Sequence, residues 1–175
     1  VLLDHLGNAQ YPGYRRTVKR LNAMGVQWRR MLPFRPLHGQ LQRPDLRNHR
    51  KLLVIDGTVA FTGSQNIIEV GYQRRRNHRR GLQWKDYMAR FEGPVVAGID
   101  ALFVTDWYSE TGELLEREAA PARLHGDGDF DCQVVPSGPG FDGENNLRLF
   151  NSLVYAAQQK VIITSPYFVP DDSML

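Results

Sequence analysis

The chain has 175 residues, a hydrophobic content of 42% and a formal net charge of +3. This length and composition suit one compact domain or slightly more, and they argue against an intrinsically disordered chain. The single cysteine, Cys132, excludes an internal disulfide and fits a reducing compartment. No apolar run approaches the ~18 residues that a membrane helix needs, and no signal peptide is visible at Val1.

The charge is distributed unevenly along the chain. Residues 1–90 hold 18 Lys and Arg against five Asp and Glu, whereas residues 91–175 hold four against 14. A basic half indicates attraction to an anionic partner, such as phospholipid headgroups or nucleic acid. On charge alone, a solvated basic surface without a ligand is an equally good interpretation.

The first ninety residues alternate strand-like and helical patterns. A helix is predicted between Pro12 and Gly25, because apolar side chains recur there at helical spacing and glycine is a natural helix stop. Strands are predicted at residues 2–4, 26–28, 49–55, 59–62 and 87–91. Loops are predicted at residues 33–47 and at the arginine-rich residues 71–83, and a turn is predicted at Asp56 and Gly57.

The second half continues this alternation after a polar, acidic stretch at residues 109–128. Helices are predicted at residues 94–108 and 147–158, strands at 132–135 and 160–164, and loops at 137–140 and 166–170. Strands that alternate with helices predict an α/β fold with a layered sheet. The tryptophans Trp84 and Trp107 are expected in the core.

The chemistry-bearing segment reads N-H-R-K-L-L-V-I-D-G and begins at Asn48. Side chains alternate between the faces of an extended strand, so His49 and Lys51 point the same way and could meet one phosphate. Leu53 and Ile55 are expected to continue that face as core. Asp56 lies in the predicted turn, displaced from the pair.

The strand after the turn ends in a second polar group, T-G-S-Q-N. Gly63 allows another backbone to approach closely. Ser64 and Asn66 fall on one side if the chain stays extended, and both can hydrogen-bond phosphate oxygens.

This set of residues indicates nucleophilic phosphoryl transfer without a metal or cofactor. An imidazole can form a covalent intermediate, and Lys51 would neutralise charge on the phosphoryl oxygens. Only four of the 22 basic residues are lysines, so a compact ammonium beside His49 is suggestive. The five histidines lack zinc-ligand spacing, and no glycine-rich phosphate loop is present. An isolated histidine is usually structural, but here five polar residues and a glycine stand in one ordered strand–turn–strand block.

These residues resemble the H-x-K-x4-D motif of the phospholipase D superfamily, followed by its G-S-x-N element. Further segments in family order resemble the bacterial cardiolipin synthases. They are L-L-D-H-L-G from Leu2, W-K-D from Trp84, F-E-G-P-V-V from Phe91, D-W from Asp106, P-S-G-P from Pro136 and S-P-Y-F-V-P-D from Ser165.

The resemblance implies a mixed sheet flanked by helices and a phosphohistidine mechanism at His49. It implies that Lys51 and Asn66 bind the phosphate, with Ser64 nearby, and that Asp56 orients or supports the site. The implied reaction moves a phosphatidyl group from one phosphatidylglycerol to another and releases glycerol. It would take place at the bacterial inner membrane.

The sequence departs from the family pattern in holding only one such motif, although a second half normally supplies a histidine as general acid and base. We therefore expect residues 1–110 to be the later part of the first half, 111–128 a linker, and 129–175 the beginning of the second half. The family's usual transmembrane segments are also absent. Tyr167 and Phe168 are expected either to line the site or to pack at a strand end. The site would be completed by the missing half or by self-association.

Two alternatives remain at this point. The chain could be a single-motif phosphodiesterase or nuclease completed by dimerisation, for which the basic half suits a nucleic-acid backbone. It could also be a lipid-binding segment without turnover. The basic run from Gln73 to Arg80 would meet anionic headgroups or form a solvated loop, and Asp86 would bond near the site or pair with a surface arginine.

Overall fold

The computed structural model describes residues 1–35, 37, 39–41, 43–72, 74–116, 130–165, 168–170 and 172–174. It divides into two compact units, Val1–Val134 and Val135–Leu175. Both helices and short strands are present, which confirms the predicted α/β class. The predicted three-part division of the chain stays a prediction, because most of the predicted linker lies outside the described residues.

The first unit holds all seven strands and four of the five helices found in the described residues. Its strands are β1 Leu2–Asp4, β2 Arg29–Met31, β3 Phe34–Arg35, β4 Gln40–Leu41, β5 Leu52–Ile55, β6 Val59–Gly63 and β7 Met88–Glu92. Its helices are α1 His5–Ala9, α2 Tyr14–Ala23, α3 Arg75–Arg79 and α4 Val95–Thr111. The second unit holds α5, Asn145–Ala156.

Three small sheets form in the described residues. β1 pairs with β2 in parallel, and β3 pairs with β4 in an antiparallel hairpin. The third sheet is antiparallel in the order β5-β6-β7, with Leu52 opposite Thr62. The predicted turn is confirmed: Asp56 and Gly57 have φ values of 51° and 63°, in the left-handed region that glycine and aspartate tolerate.

The core of the first unit lies between α4 and the three-stranded sheet. Ala60, Val96 and Ile99 are buried there, and further apolar side chains pack against them. These are Leu52, Val54, Phe91 and Val134. The sheet face that α4 covers is therefore the face of Leu52 and Val54.

The prediction that Leu53 and Ile55 belong to the core is wrong. Their exposed fractions are 53% and 43%. Four consecutive apolar residues in β5 carry no alternation, so the pattern does not say which face is buried. That choice is made by α4, an element more than forty residues further along the chain.

Several predicted boundaries also change. The strand predicted at 26–28 forms at 29–31, that predicted at 49–55 begins at Leu52, and the predicted loops contain β3, β4 and α3. The strands predicted at 132–135 and 160–164 are not formed. An apolar β-branched run becomes a strand only when another strand pairs with it, and propensity does not supply that partner.

No helix in the described ranges is both long and apolar enough to span a bilayer.

Gly63 marks the closest approach of β6 to β7. A Cβ atom added there would overlap the Tyr87 carbonyl oxygen and would lie 2.9 Å from the Met88 Cα. The predicted close approach of a backbone to Gly63 is thereby confirmed, and the approaching backbone is that of β7.

We predict that Gly63→Ala destabilises the chain by about 1–3 kcal/mol, because backbone atoms must move to admit the methyl group. Chemical denaturation followed by circular dichroism measures this change. Gly13→Ala is the matched control, since a Cβ atom at Gly13 meets no heavy atom within 4 Å. Equal effects of the two substitutions would contradict the close approach.

Candidate active site

The segment that carries His49 is attached to the fold through a buried carboxylate, Asp106 on α4. The Arg50 Nη1 atom donates to both Asp106 oxygens, at 2.6 and 2.7 Å, and the Asn48 Nδ2 atom donates to Asp106 Oδ2 at 2.9 Å. Asn48 Oδ1 also accepts from the Arg50 backbone N–H at 2.9 Å. Asp106 is only 6% exposed. We call Asn48, Arg50 and Asp106 the Asp106 clamp.

A second carboxylate, Asp4 at the end of β1, fixes the same segment from the N-terminal side. Its Oδ2 atom accepts from the Asn48 backbone N–H at 3.1 Å, and its Oδ1 atom accepts from the Gly7 N–H at 2.7 Å. The Arg47 guanidinium lies 3.7 Å from Asp4 Oδ1 and donates to the Leu32 carbonyl oxygen at 3.1 Å. The parallel β1–β2 sheet therefore holds the entry to the motif.

His49 stands between these two inward-pointing neighbours and is exposed. Asn48 and Arg50 are bonded to the interior, whereas His49 lies exposed in the irregular stretch that precedes β5. The Lys51 ammonium reaches back and donates to the His49 carbonyl oxygen at 2.6 Å. The candidate phosphate-binding ammonium thus lies beside the backbone of His49.

Lys51 is the electrostatically perturbed group of the motif. Partial burial lowers its pKa below the usual value, and the Asp86 carboxylate opposes that shift. Asp86 Oδ1 accepts from the Ser64 hydroxyl at 2.8 Å, and the Ser64 Oγ accepts from the Tyr87 N–H at 3.0 Å. Lys51, Ser64 and Asp86 therefore share one neighbourhood.

The sequence allowed two interpretations of Asp86, a bond near the site or a pair with a surface arginine. In the structure its carboxylate accepts a hydrogen bond from Ser64. The sequence feature that pointed to Asp86 was its place in the W-K-D segment, just before β7. Nothing in the local pattern could give its partner, because 22 residues separate it from Ser64.

Asn66 is oriented by an aromatic pair. Its Nδ2 atom donates to the Tyr72 hydroxyl at 2.7 Å, and the Tyr72 and Trp84 rings lie 5.7 Å apart between centroids. Trp84 was expected in the core, but it is 38% exposed. Trp107 is buried as expected, at 2% exposure.

Asp56 lies at the other end of β5 from Lys51. Five residues of extended chain correspond to about 16 Å, so Asp56 is remote from Lys51 along the strand. Its left-handed backbone places it in the hairpin turn. This position suits the supporting role that the family resemblance implies.

The remaining predicted positions add nothing to the described site. Tyr167 lies outside the described residues, and Phe168 is exposed in the second unit. His5 accepts from the Phe34 N–H at 3.1 Å, and His78 lies 3.3 Å from Glu69. Within the described ranges, no cluster of three metal-ligating side chains occurs.

Glu110 on α4 is a further charged residue near Asp106, Asp4 and Arg47. No sequence pattern predicted its role. Its Oε1 atom accepts from the Leu32 N–H at 2.8 Å. Burial raises its pKa, and the charges of Asp106 and Asp4 act in the same direction. The Leu32 hydrogen bond and Arg47 oppose this shift.

The chain is similar along its whole length to curated proteins. It is 36% identical over 186 aligned positions to proteins named cardiolipin synthase A from Yersinia pseudotuberculosis and Yersinia pestis. The alignments cover all of this chain and 36% of each relative, so the chain spans about a third of their length. No family model matches, and no solved structure matches. The resemblance to bacterial cardiolipin synthases is confirmed.

We predict that Asp106→Asn destabilises the chain by about 3 kcal/mol, because it removes the charge that neutralises the largely buried Arg50 guanidinium. Denaturant titration measures the loss. The control is Asp45→Asn, which removes the carboxylate of the solvent-exposed Arg43–Asp45 pair and should leave stability essentially unchanged. A loss no larger than that of the control would contradict the clamp.

We predict that Glu110→Gln stabilises the chain at neutral pH more than below pH 4.5, the ordinary pKa of the side chain. A raised folded-state pKa means that the wild-type chain loses stability as pH rises through it, and glutamine removes that loss. Unfolding curves of both chains across this pH range test the difference. Glu92→Gln, which removes the carboxylate of the solvent-exposed Arg90–Glu92 pair, is the control and should not stabilise the chain at neutral pH.

Proposed function

We propose that this chain, a homologue of the bacterial cardiolipin synthases along its whole length, supplies the nucleophilic half of a phosphatidyltransferase site. The observation that carries the proposal is the placement of His49. It is exposed to solvent while both of its sequence neighbours bond to the buried Asp106. These hydrogen bonds fix the chain on both sides of His49, so its imidazole is presented from a defined position on the surface.

The proposed reaction has two displacements at phosphorus. A His49 ring nitrogen attacks the phosphodiester of phosphatidylglycerol, the bond to the headgroup glycerol breaks, and glycerol leaves with a proton from a general acid. The hydroxyl of a second phosphatidylglycerol then attacks the phosphohistidine and gives its proton to the same group. Cardiolipin is released and His49 is restored, without any cofactor.

Lys51 is proposed to bind the phosphate oxygens. Its pKa is lowered by burial, so its charged form is under-solvated, and an anion beside it would reverse that shift. Asn66, which donates one of its two amide hydrogens to Tyr72, is proposed to donate the other to the phosphate. Ser64 is proposed to move its single hydroxyl hydrogen from Asp86 to the phosphate when the substrate binds. Asp56 is proposed to support the hairpin turn.

The general acid is proposed to come from a second half-site, either a further half-domain or a second copy of the chain. His5 and His78 already have partners in the described structure. The substrate is a bilayer lipid, so we propose that the reaction takes place at the surface of the bacterial inner membrane.

A lipid with an activated leaving group separates nucleophilic attack from the missing acid. We predict that a phosphatidyl ester of p-nitrophenol, whose leaving group needs no proton, gives a burst approaching one p-nitrophenolate per chain. Mass spectrometry after an alkaline quench should find the phosphatidyl adduct on His49. Lys51→Ala should slow the burst about 100-fold or more, because the developing charge loses its cation.

His49→Ala should abolish the burst, whereas His125→Ala, at a histidine outside the described residues, should retain it. A folded chain without a burst, or an adduct on another residue, would overturn the proposal. Vesicle binding without any adduct would favour the lipid-binding alternative. Cleavage of DNA without turnover of lipid would favour the nuclease alternative.

A further inference from the structure

Residues 66–72 and 74–84, between β6 and β7, form a folded excursion that we call the arginine segment. The Trp84 N–H donates to the Val70 carbonyl oxygen at 3.0 Å, which joins its two ends. A second hydrogen bond links the two halves of the segment, because the Asn77 Nδ2 atom donates to the Gly71 carbonyl oxygen at 3.0 Å. This basic run therefore has a defined local structure and is not simply a solvated loop.

The one carboxylate of the arginine segment is turned toward its own backbone. Glu69 Oε2 accepts from the Gly71 N–H at 2.8 Å, and Glu69 Oε1 lies 3.3 Å from His78 Nε2. Gly71 is buried, and a Cβ atom added there would lie 2.9 Å from His78 Cε1. The only acidic group of the segment is thus engaged by the segment's own backbone and by His78, although its side chain is 38% exposed.

The outer surface of the segment is strongly cationic. Five of its arginines are exposed, namely Arg74, Arg75, Arg76, Arg79 and Arg80. Within the described part of the chain, none of the salt bridges involves these five guanidinium groups. Their charge is available to an external anion.

The same segment also exposes large aliphatic side chains. Ile67 is fully exposed, and Val70 and Leu82 are each more than half exposed. The Leu82 N–H donates to the Asn77 carbonyl oxygen at 2.9 Å, so Leu82 adjoins the arginine-bearing helix α3. Cations and aliphatic groups therefore stand together on one compact segment.

We propose that the arginine segment is a docking surface for bilayers of anionic phospholipid. Guanidinium groups attract anionic headgroups, and exposed aliphatic side chains gain free energy by entering the boundary of the acyl region. A nucleic-acid backbone would use the charges but would offer nothing to Ile67 or Leu82. The combination of charge and aliphatic exposure therefore favours a bilayer over nucleic acid.

The docking surface adjoins the candidate active site. Asn66 opens the segment two residues after Ser64, and its side chain bonds to Tyr72 within the segment. Docking would thus bring the site to the headgroup layer, where the phosphodiester of a phospholipid lies. This consequence rests on the proposed function, whereas the binding itself does not.

Flotation of the chain with vesicles tests the proposal. The probes are phosphatidylcholine vesicles with and without about one third phosphatidylglycerol, at low and high salt. The test variant carries Arg75→Gln, Arg76→Gln and Arg79→Gln. The control carries Arg15→Gln, Arg16→Gln and Arg20→Gln, which removes the same charge from exposed positions on α2.

We expect the test variant to bind phosphatidylglycerol vesicles about 100-fold more weakly, at roughly fivefold per arginine, and the control to lose less than tenfold. Ile67→Ser with Leu82→Ser should also weaken binding while leaving the charge unchanged. This second variant keeps the test decisive if the arginine variant fails to fold. Circular dichroism verifies the fold of each chain.

Equal losses in the test and control variants would overturn the docking surface, because only overall charge would then matter. Tighter binding to a DNA duplex than to vesicles, with no effect of Ile67→Ser and Leu82→Ser, would also overturn it in favour of nucleic acid. A His49 burst with undiminished binding of the test variant would retain the proposed function and remove the docking surface. Arginine-dependent binding without a burst would retain the docking surface and remove the proposed function.

Discussion

The buried Asp106 carboxylate is the constraint on which the candidate site depends. It lies on α4, the helix that covers the three-stranded sheet, and it binds Asn48 and Arg50 on either side of His49. A charge at this depth is stabilised only with partners, and the motif itself supplies them. The core residues Val96 and Ile99 lie on the same helix as Asp106, so the helix that packs on the sheet also carries the carboxylate that binds the motif.

The polar residues of the motif divide into those that belong to the fold and those that face outward. Asn48 and Arg50 are bonded inside, whereas His49 is exposed and Lys51 is only partly buried. Ser64 and Asn66 combine the two properties. Each is exposed, and each is oriented by a hydrogen bond, to Asp86 for Ser64 and to Tyr72 for Asn66. The site thus resembles a preorganised surface more than a closed cavity.

The sequence predicts local features of this fold well and long-range ones poorly. The β5–β6 hairpin and α4 follow from a turn dipeptide and an apolar run. The buried face of β5 does not, because its four residues are all apolar. The Asp106 clamp joins residues 56 and 58 positions apart, and no local pattern reports such a pairing. The predicted strand at 160–164 failed for a related reason, since it lacks a partner among the described residues.

The outward position of His49 has a consequence for how such chains diverge. Selection for a stable fold acts on Asn48, Arg50 and Asp106, whereas His49 contributes no hydrogen-bonded side chain to the described interior. A lineage can therefore lose the histidine and keep a well-folded protein. Inactive descendants of such a chain would conserve the neighbours of the histidine more strictly than the histidine itself.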